Sequence, residues 1–280
     1  MRVYMIDRNI VSKISSGFKN CSIEDKNFIK SLDTKGSAIS LLLSNIEGRL
    51  GIPQDMSQAS SGMFAEGDIA KGFFKKARVD SGFFEAFNNL ASWGITTHQR
   101  DSFLKNSEIV AYLQDTLHQP RSPAQAKEVR EDILNFASKR DMEIGHPIML
   151  CGLSTLYGNK NAHGVLKPKK PKQNDPKRNA RIYNALADLM VIVNLSELAG
   201  ISRGMKMRIH FATIDKPLHG FVQEFGLLGV TKSRLALVND NNHPWIQYVA
   251  FPKANRQRGR RVQGMVQHQE AKKHEHKVKP

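Results

Sequence analysis

Two apolar runs that lie far apart in the chain each stop at an aspartate. Residues 3–6 (Val-Tyr-Met-Ile) end at Asp7, and a second run, which begins at Lys206, ends at Asp215. Short apolar runs of this kind indicate buried β-strands. The spacing of residues 10–14 is helical, so Asp7 is predicted to lie where a strand ends and a helix begins. In an open α/β sheet, that edge is where ligands bind.

Further elements are predicted between and after these two strands. Ile39, Leu42, Leu43 and Ile46 fall on one helical face, which predicts a helix over 36–50 that ends at Glu47, directly before Gly48. The run at 147–157 fits either a strand or a buried helix, and periodicity does not separate the two. The remaining predictions are helices at 179–198 and from Pro217 to Phe225, and strands at 235–238 and 246–251.

The block from 51 to 145 has a different pattern, because it carries few β signals. Helical stretches are predicted at about 63–90, 99–117 and 122–140. Ser122 followed by Pro123 is a favourable helix start, with serine as the cap and proline in the first turn. We interpret this block as a helical insertion or subdomain.

Together these elements predict an α/β fold with a parallel sheet flanked by helices, a large helical insertion and a basic C-terminal tail. The predicted domain covers 1–252, with the insertion at about 51–145. The tail, 253–280, is basic and poor in apolar residues, so we expect it to be disordered or partly ordered.

The charge balance indicates a polyanionic partner. Lys and Arg number 42 against 26 Asp and Glu, which gives a net charge of +16. Solubility alone is the alternative explanation. Basic residues concentrate in a proline-rich loop at 166–178 and in the tail, where they suit phosphate contacts that read no sequence. Few aromatics are interleaved with them, so base stacking is not favoured. The predicted nucleic-acid-binding residues are Lys167, Lys169, Lys170, Lys172, Arg258, Arg260 and Arg261.

Other features argue against a membrane protein and a disulfide framework. No run approaches the ~20 apolar residues that a membrane span needs. The only two cysteines, Cys21 and Cys151, lie far apart and outside any CxxC pair. We therefore expect reduced thiols and a cytoplasmic location.

Four acidic residues form the predicted site: Asp7, Glu47, Asp188 and Asp215. Four carboxylates brought together repel one another unless cations neutralise them. Hard oxygen ligands favour Mg²⁺ or Mn²⁺, and two such ions ~4 Å apart promote phosphodiester hydrolysis. Local alternatives exist. Asp7 suits a helix cap, and Asp188 suits a structural ion pair with Arg181 or Lys177.

The same positions resemble the motifs of the PIN-like nuclease family. Val-Tyr-Met-Ile-Asp-Arg-Asn resembles the family's first strand, which ends in Asp-x-Asn, and Phe-Ala-Thr-Ile-Asp at 211–215 resembles its later strand. Ser44-Asn-Ile-Glu47 and Asn184-Ala-Leu-Ala-Asp188 resemble the helices that bring the family's Glu and another Asp. The order Asp, Glu, Asp, Asp is also similar, and the resemblance covers about 1–50 and 147–250.

The resemblance implies a doubly wound α/β sheet and metal-dependent nuclease activity on RNA or DNA, often in a toxin or defence system. Asn9 is expected to orient Asp7 or a metal-bound water, and Asn184, one turn before Asp188, is expected to support that residue. Thr213 is expected to hydrogen-bond a ligand or phosphate, and an ordinary strand threonine is the alternative. Asp80 and Asp240 are the substitutes should Asp188 lie elsewhere. A second hypothesis is a binding protein without chemistry, which uses the basic surfaces on nucleic acid or the helical block on a protein partner.

Overall fold

The computed structural model describes residues 2–48, 52–86, 88–202, 208–224, 229–231 and 234–236. Every described residue lies in one compact unit, 1–239. The strands are β1 (Arg2–Ile6), β2 (Ser37–Ser40), β3 (Arg78–Val79), β4 (Arg208–Ala212), β5 (Gly229–Thr231) and β6 (Arg234–Ala236). The helices are α1 (Arg8–Ser15), α2 (Ile23–Ser31), α3 (Leu42–Glu47), α4 (Met56–Phe73), α5 (Ser81–Ala86), α6 (Asn88–Thr116), α7 (Pro123–Ser138), α8 (Pro147–Leu156), α9 (Lys160–Leu166), α10 (Arg178–Ser202) and α11 (Lys216–Glu224).

The strands form one sheet in the order β3-β2-β1-β4-β6-β5. The first four are parallel, and β6 runs antiparallel to β4 and β5. Val3 lies opposite Ala38 on β2 and Ile209 on β4, which fixes β1 at the centre. The chain moves outward from β1 to β2 and β3, then returns to the other side of β1 with β4. The predicted α/β class with a parallel, helix-flanked sheet is confirmed.

The core lies against the central strands. Tyr4 and Ile6 of β1 and Ile39 of β2 are fully buried among side chains from α1, α2, α4 and α6. Their burial explains why these short runs form strands, since each buries nearly its whole apolar surface on folding. Among the later helices, α10 packs against α6, α8 and α9, and α9 packs against α11.

Several local predictions are confirmed. Ser122 caps α7 by accepting a hydrogen bond from the backbone N–H of Gln125, and Pro123 is the first residue of that helix. The ambiguous run at 147–157 forms helix α8, and the helix predicted at 179–198 is α10. Cys21 and Cys151 are free thiols.

Two predictions about secondary structure are wrong. The helix predicted over 36–50 begins only at Leu42, because residues 37–40 form β2 between β1 and β3. The single helix predicted at about 63–90 is divided, since β3 and its parallel pairing to β2 interrupt it at 78–79. The block at 51–145 is therefore not wholly helical. In the predicted strand at 235–238, residues 235–236 belong to β6, whereas 237–238, the strand at 246–251 and the tail lie outside the described residues.

Candidate functional site

The sheet order creates a topological switch point between β1 and β4. The neighbour that follows β1 in the chain lies on one side of it and β4 lies on the other, and the carboxyl ends of two such strands are where open α/β sheets bind ligands. Asp7 directly follows β1, and Thr213 and Asp215 follow β4. The backbone N–H of Asp7 donates to the carbonyl of Ala212 at 3.2 Å, which keeps the two strand ends side by side.

Asp7 is buried, and three groups hold its carboxylate. One oxygen, Oδ1, accepts a hydrogen bond from the backbone N–H of Ile10 at 3.0 Å, so Asp7 also caps α1. The other, Oδ2, accepts from the hydroxyl of Thr213 and from the side-chain amide of Asn9 at 3.4 Å. The contact of Asn9 with Asp7 agrees with its expected orienting role, whereas the hydroxyl of Thr213, expected to contact a ligand or phosphate, bonds Asp7. Asp7 therefore caps α1, as the alternative predicted, and also lies at the carboxyl end of β1.

Thr213 links the two aspartates. Its hydroxyl donates to Asp7 and accepts from the backbone N–H of Asp215 at 2.9 Å. Asp215 in turn accepts from the backbone N–H of Leu218 at 2.8 Å, which is the usual bond of a residue that begins a helix. One carboxylate oxygen of Asp215 is therefore fixed at the start of α11.

Glu47 reaches the same edge from the end of α3. Its Oε2 accepts a hydrogen bond from the backbone N–H of Arg8 at 3.3 Å. The phenol of Tyr183 donates to the Glu47 carbonyl, and the guanidinium of Arg8 donates to the carbonyl of Gly48. Gly48 has a φ of 74°, a conformation that favours glycine, and it ends the helix there. Arg8 and Tyr183 were not among the predicted site residues, although both fix the position of Glu47.

Asp188 comes from α10 and pairs with Lys167. The ammonium Nζ of Lys167 lies 2.6 Å from Oδ2 of Asp188, and the side chains are 37% and 10% exposed. The alternative partners predicted for Asp188 are wrong, because Arg181 pairs with Asp175 at 2.9 Å and Lys177 is exposed. Lys167 is among the predicted nucleic-acid contacts. No feature of the neighbouring sequence indicates that its side chain reaches Asp188.

Negative charges of neighbouring acids act on Asp7, Glu47 and Asp188. Burial, followed by the charges of Asp188 and Asp215, raises the pKa of Asp7 to about 7 against the hydrogen bonds of Thr213 and Ile10. Burial, then Asp7 and Asp188, raises the pKa of Glu47 well above its ordinary value. The four predicted carboxylates thus lie within range of one another's charge, and their role as metal ligands stays a prediction.

The pKa values of the Lys167–Asp188 pair reflect two opposing effects. Burial raises the pKa of Asp188 to about 6 although the ammonium of Lys167 opposes it, and the charge of Asp215 adds to the rise. Burial works against the charge of Lys167, but Asp188, Asp215 and Glu47 outweigh it and raise the lysine's pKa. An ion pair alone would lower the pKa of the acid, so burial and crowding of negative charge dominate at Asp188.

The donor set fits a hard divalent cation in its chemistry, since it offers carboxylate oxygens whose mutual repulsion a cation would relieve. As the side chains stand, however, no group of three or more His, Cys, Asp or Glu among the described residues is arranged to hold a metal ion. Hydrogen bonds and the ammonium of Lys167 engage oxygens of each of the four acids. Binding a cation would therefore require some of these contacts to be exchanged.

The remaining predicted residues lie around or outside this cluster. Asn184 is exposed on α10, and within the described ranges no hydrogen bond joins it to Asp188. Asp80 follows β3, and its carboxylate accepts a hydrogen bond from the backbone N–H of Leu41 at 3.1 Å. Lys169, Lys170 and Lys172 are exposed on the loop that follows α9. The other predicted residues, Asp240, Arg258, Arg260 and Arg261, lie outside the described part of the chain.

Comparison of the chain with models of known protein families, with curated proteins and with solved structures finds no match. Within the described residues, no helix combines the length and the apolar character that crossing a membrane requires.

Proposed function

We propose that the chain is a nuclease of the PIN-like kind that uses Mg²⁺ or Mn²⁺ to hydrolyse phosphodiester bonds in RNA or DNA. One observation carries this proposal. Carboxylates from four separate segments of the chain lie within range of one another's charge, and two of them directly follow the strands that flank the switch point of the parallel sheet, where ligands of such folds bind. Buried carboxylates that raise one another's pKa are unfavourable in the folded protein, and such strain is characteristic of functional sites.

In this proposal Asp7, Glu47, Asp188 and Asp215 hold the metal. The bound cation supplies Lewis acidity, which lowers the pKa of a water and stabilises the leaving oxygen. Thr213 and the backbone of Ile10 hold the Asp7 carboxylate in one orientation, and Thr213 ties its position to that of Asp215.

The basic loop is placed to hold the substrate. Lys167 lies at the acidic cluster, and Lys172 follows it by five residues, so it lies within about 18 Å of Lys167 even if the chain between them is fully extended. Lys169, Lys170 and Lys172 are exposed and can contact the phosphates of a strand whose scissile bond lies at the carboxylates. Such contacts bind any nucleic acid and weaken as salt increases.

The test uses the full chain and labelled single- and double-stranded RNA and DNA, with Mg²⁺, Mn²⁺ or EDTA. Asp7→Asn and Asp188→Asn remove one carboxylate each. Asp55→Asn is the matched control, because Asp55 also caps a helix but is exposed on α4. We expect metal-dependent cleavage by the wild type and the control, and none by the two site variants. Full activity of folded Asp7→Asn protein would contradict the proposal, and the preferred substrate separates RNA from DNA.

The alternative function is nucleic-acid binding without chemistry. The observation that favours it is the ion pair of Lys167 with Asp188, which already neutralises part of the acidic cluster. Salt-dependent binding of all four substrates, with no cleavage in either metal, would support this alternative and would direct attention to a protein partner of the helices between 56 and 138.

A toxin or defence role extends the nuclease proposal. Growth arrest on expression that Asp7→Asn abolishes would support that extension.

A further inference from the structure

Lys167 adopts a backbone conformation that a lysine rarely takes. It ends α9 with φ 54° and ψ 50°, the left-handed region, and its N–H donates to the carbonyl of His163 at 2.9 Å. Glycine is the usual residue at this kind of helix end, and a side chain there costs about 1 kcal/mol. The next residue, Pro168, prevents the helix from continuing. The side chain of this strained lysine makes a contact that glycine could not make.

The side chain ends among the carboxylates. Its ammonium contacts Asp188 directly, and the charges of Asp215 and Glu47 also stabilise its protonated form. With the guanidinium of Arg8 beside Glu47, two positive charges stand against four carboxylates, which leaves a negative surplus at the cluster. The ammonium therefore occupies the part of the cluster next to Asp188 and reduces the repulsion only partly.

The helix that carries Lys167 is firmly held. Gly164 of α9 lies so close to α11 that an added Cβ would stand 2.7 Å from Cβ of Pro217. Asn161 donates a hydrogen bond to Glu224 at 2.8 Å, and Asn159 donates to the same carboxylate. Since α11 begins beside Asp215, the backbone of Lys167 and the acidic cluster belong to one packed unit. The part free to leave is the long, partly exposed lysine side chain.

We propose that Lys167 is an internal cation that competes with the divalent metal for Asp188. This inference rests on the proposed metal site. Without metal the ammonium neutralises Asp188 and holds the cluster in place. Metal loading displaces the side chain toward solvent, where it joins the basic loop that starts at the same residue.

A metal titration tests this competition without any measurement of activity. Mn²⁺ binding to the full chain is followed by calorimetry and by the electron paramagnetic resonance signal of free Mn²⁺. Lys167→Met should bind Mn²⁺ at least about tenfold more tightly than the wild type, because nothing then competes for Asp188. The matched control, Lys169→Met, removes an exposed lysine two residues along the same loop and should bind as the wild type does.

The outcomes separate the two proposals. Unchanged or weaker Mn²⁺ binding by Lys167→Met would overturn the competition and leave the metal site standing. No Mn²⁺ binding by either protein would overturn both. The variant leaves the buried Asp188 without its partner, so it should melt at a lower temperature than the wild type in EDTA, and Mn²⁺ should reverse the loss.

Lysine labelling of the wild type decides the question even if Lys167→Met does not fold. Reductive methylation followed by peptide mass spectrometry measures how accessible each amine is. Lys167 should methylate slowly in EDTA and faster with saturating Mg²⁺, whereas Lys169 should react equally in both. Equal labelling of Lys167 in the two conditions, with Mg²⁺ binding shown by calorimetry, would contradict the displacement.

Discussion

Replacement of Asp7 by asparagine should stabilise the metal-free protein at pH 8. Burial, and then the charges of Asp188 and Asp215, raise the pKa of this carboxylate from an ordinary 3.8 to about 7, against the hydrogen bonds of Thr213 and Ile10. Each pKa unit corresponds to about 1.4 kcal/mol, so the ionised side chain costs the folded protein about 4 kcal/mol. A neutral amide of the same size avoids that cost.

The hydrogen bonds of Asp7 reduce the expected gain. Asparagine caps helices as well as aspartate does, so the bond from the N–H of Ile10 is kept. The bond from Asn9 is long, at 3.4 Å, and the hydroxyl of Thr213 would have to turn so that it accepts from the new amide. A loss of about 1–2 kcal/mol for these exchanges leaves a net stabilisation of about 2–3 kcal/mol at pH 8.

The pH dependence gives the sign of the effect. Because the folded pKa of Asp7 is raised, the native state binds more protons than the unfolded state between about pH 4 and 7, and wild-type stability falls as the pH rises through that window. The gain of Asp7→Asn should therefore be complete above pH 7 and absent near pH 4. Urea unfolding in EDTA, followed by circular dichroism at pH 4, 6 and 8, measures it.

Asp55→Asn is the control for Asp7→Asn, because Asp55 caps α4 through a 2.8 Å bond from the backbone N–H of Gln58 but is exposed. It should change the unfolding free energy little at any pH. An Asp7→Asn protein less stable than the wild type at pH 8, or one with the same gain at pH 4 and pH 8, would refute the reasoning.

Three further substitutions test the surrounding structure by urea unfolding. Asp33 accepts hydrogen bonds from three backbone N–H groups at 75–77, and although burial opposes them, these bonds lower its pKa. Asp33→Asn should thus lose about 1–2 kcal/mol at pH 7, and the difference should vanish as acid protonates the wild-type carboxylate; an equal loss at pH 2 would contradict this. Gly164→Ala should cost about 1–3 kcal/mol through its clash with α11, whereas Gly72→Ala, in open space on α4, should stabilise slightly; similar effects at both glycines would argue against the close helix contact. Ser122→Ala should cost about 1 kcal/mol by removing the cap of α7, and an unchanged unfolding free energy would show that the cap is dispensable.

The sequence predicts the strand ends of the site well because those signals are local. An apolar run, an aspartate and a helical spacing mark the junction at Asp7, and the run that ends at Asp215 repeats the first two signals. Glu47 and Asp188 lie on helices whose spacing is also visible in the sequence. The proximity of Asp7 and Asp215 then follows from parallel strand pairing, which the chain's α/β pattern indicates, whereas the positions of Glu47 and Asp188 depend on how their helices pack.

The features that escaped prediction depend on contacts between distant residues. Ile39, Leu42 and Ile46 have helical spacing, yet residues 37–40 form a strand because they pair with β1 on one side and β3 on the other. Strand β3 has only two residues, which are too few to show the alternating pattern that predicts a strand. The contact between Lys167 and Asp188 joins residues 21 apart through the packing of α9 and α10, and nothing in the neighbouring sequence distinguishes this lysine from the others in its loop.

The central position of β1 has a consequence for synthesis on the ribosome. Its partner β4 is translated about 200 residues later, so one edge of the strand has no partner for most of that time. Asp7 meets Asp215 only once β4 has docked. Before β4 emerges from the ribosome, the nascent chain therefore has no assembled acidic cluster. The proposed activity would first arise after nearly the whole folded unit has left the exit tunnel.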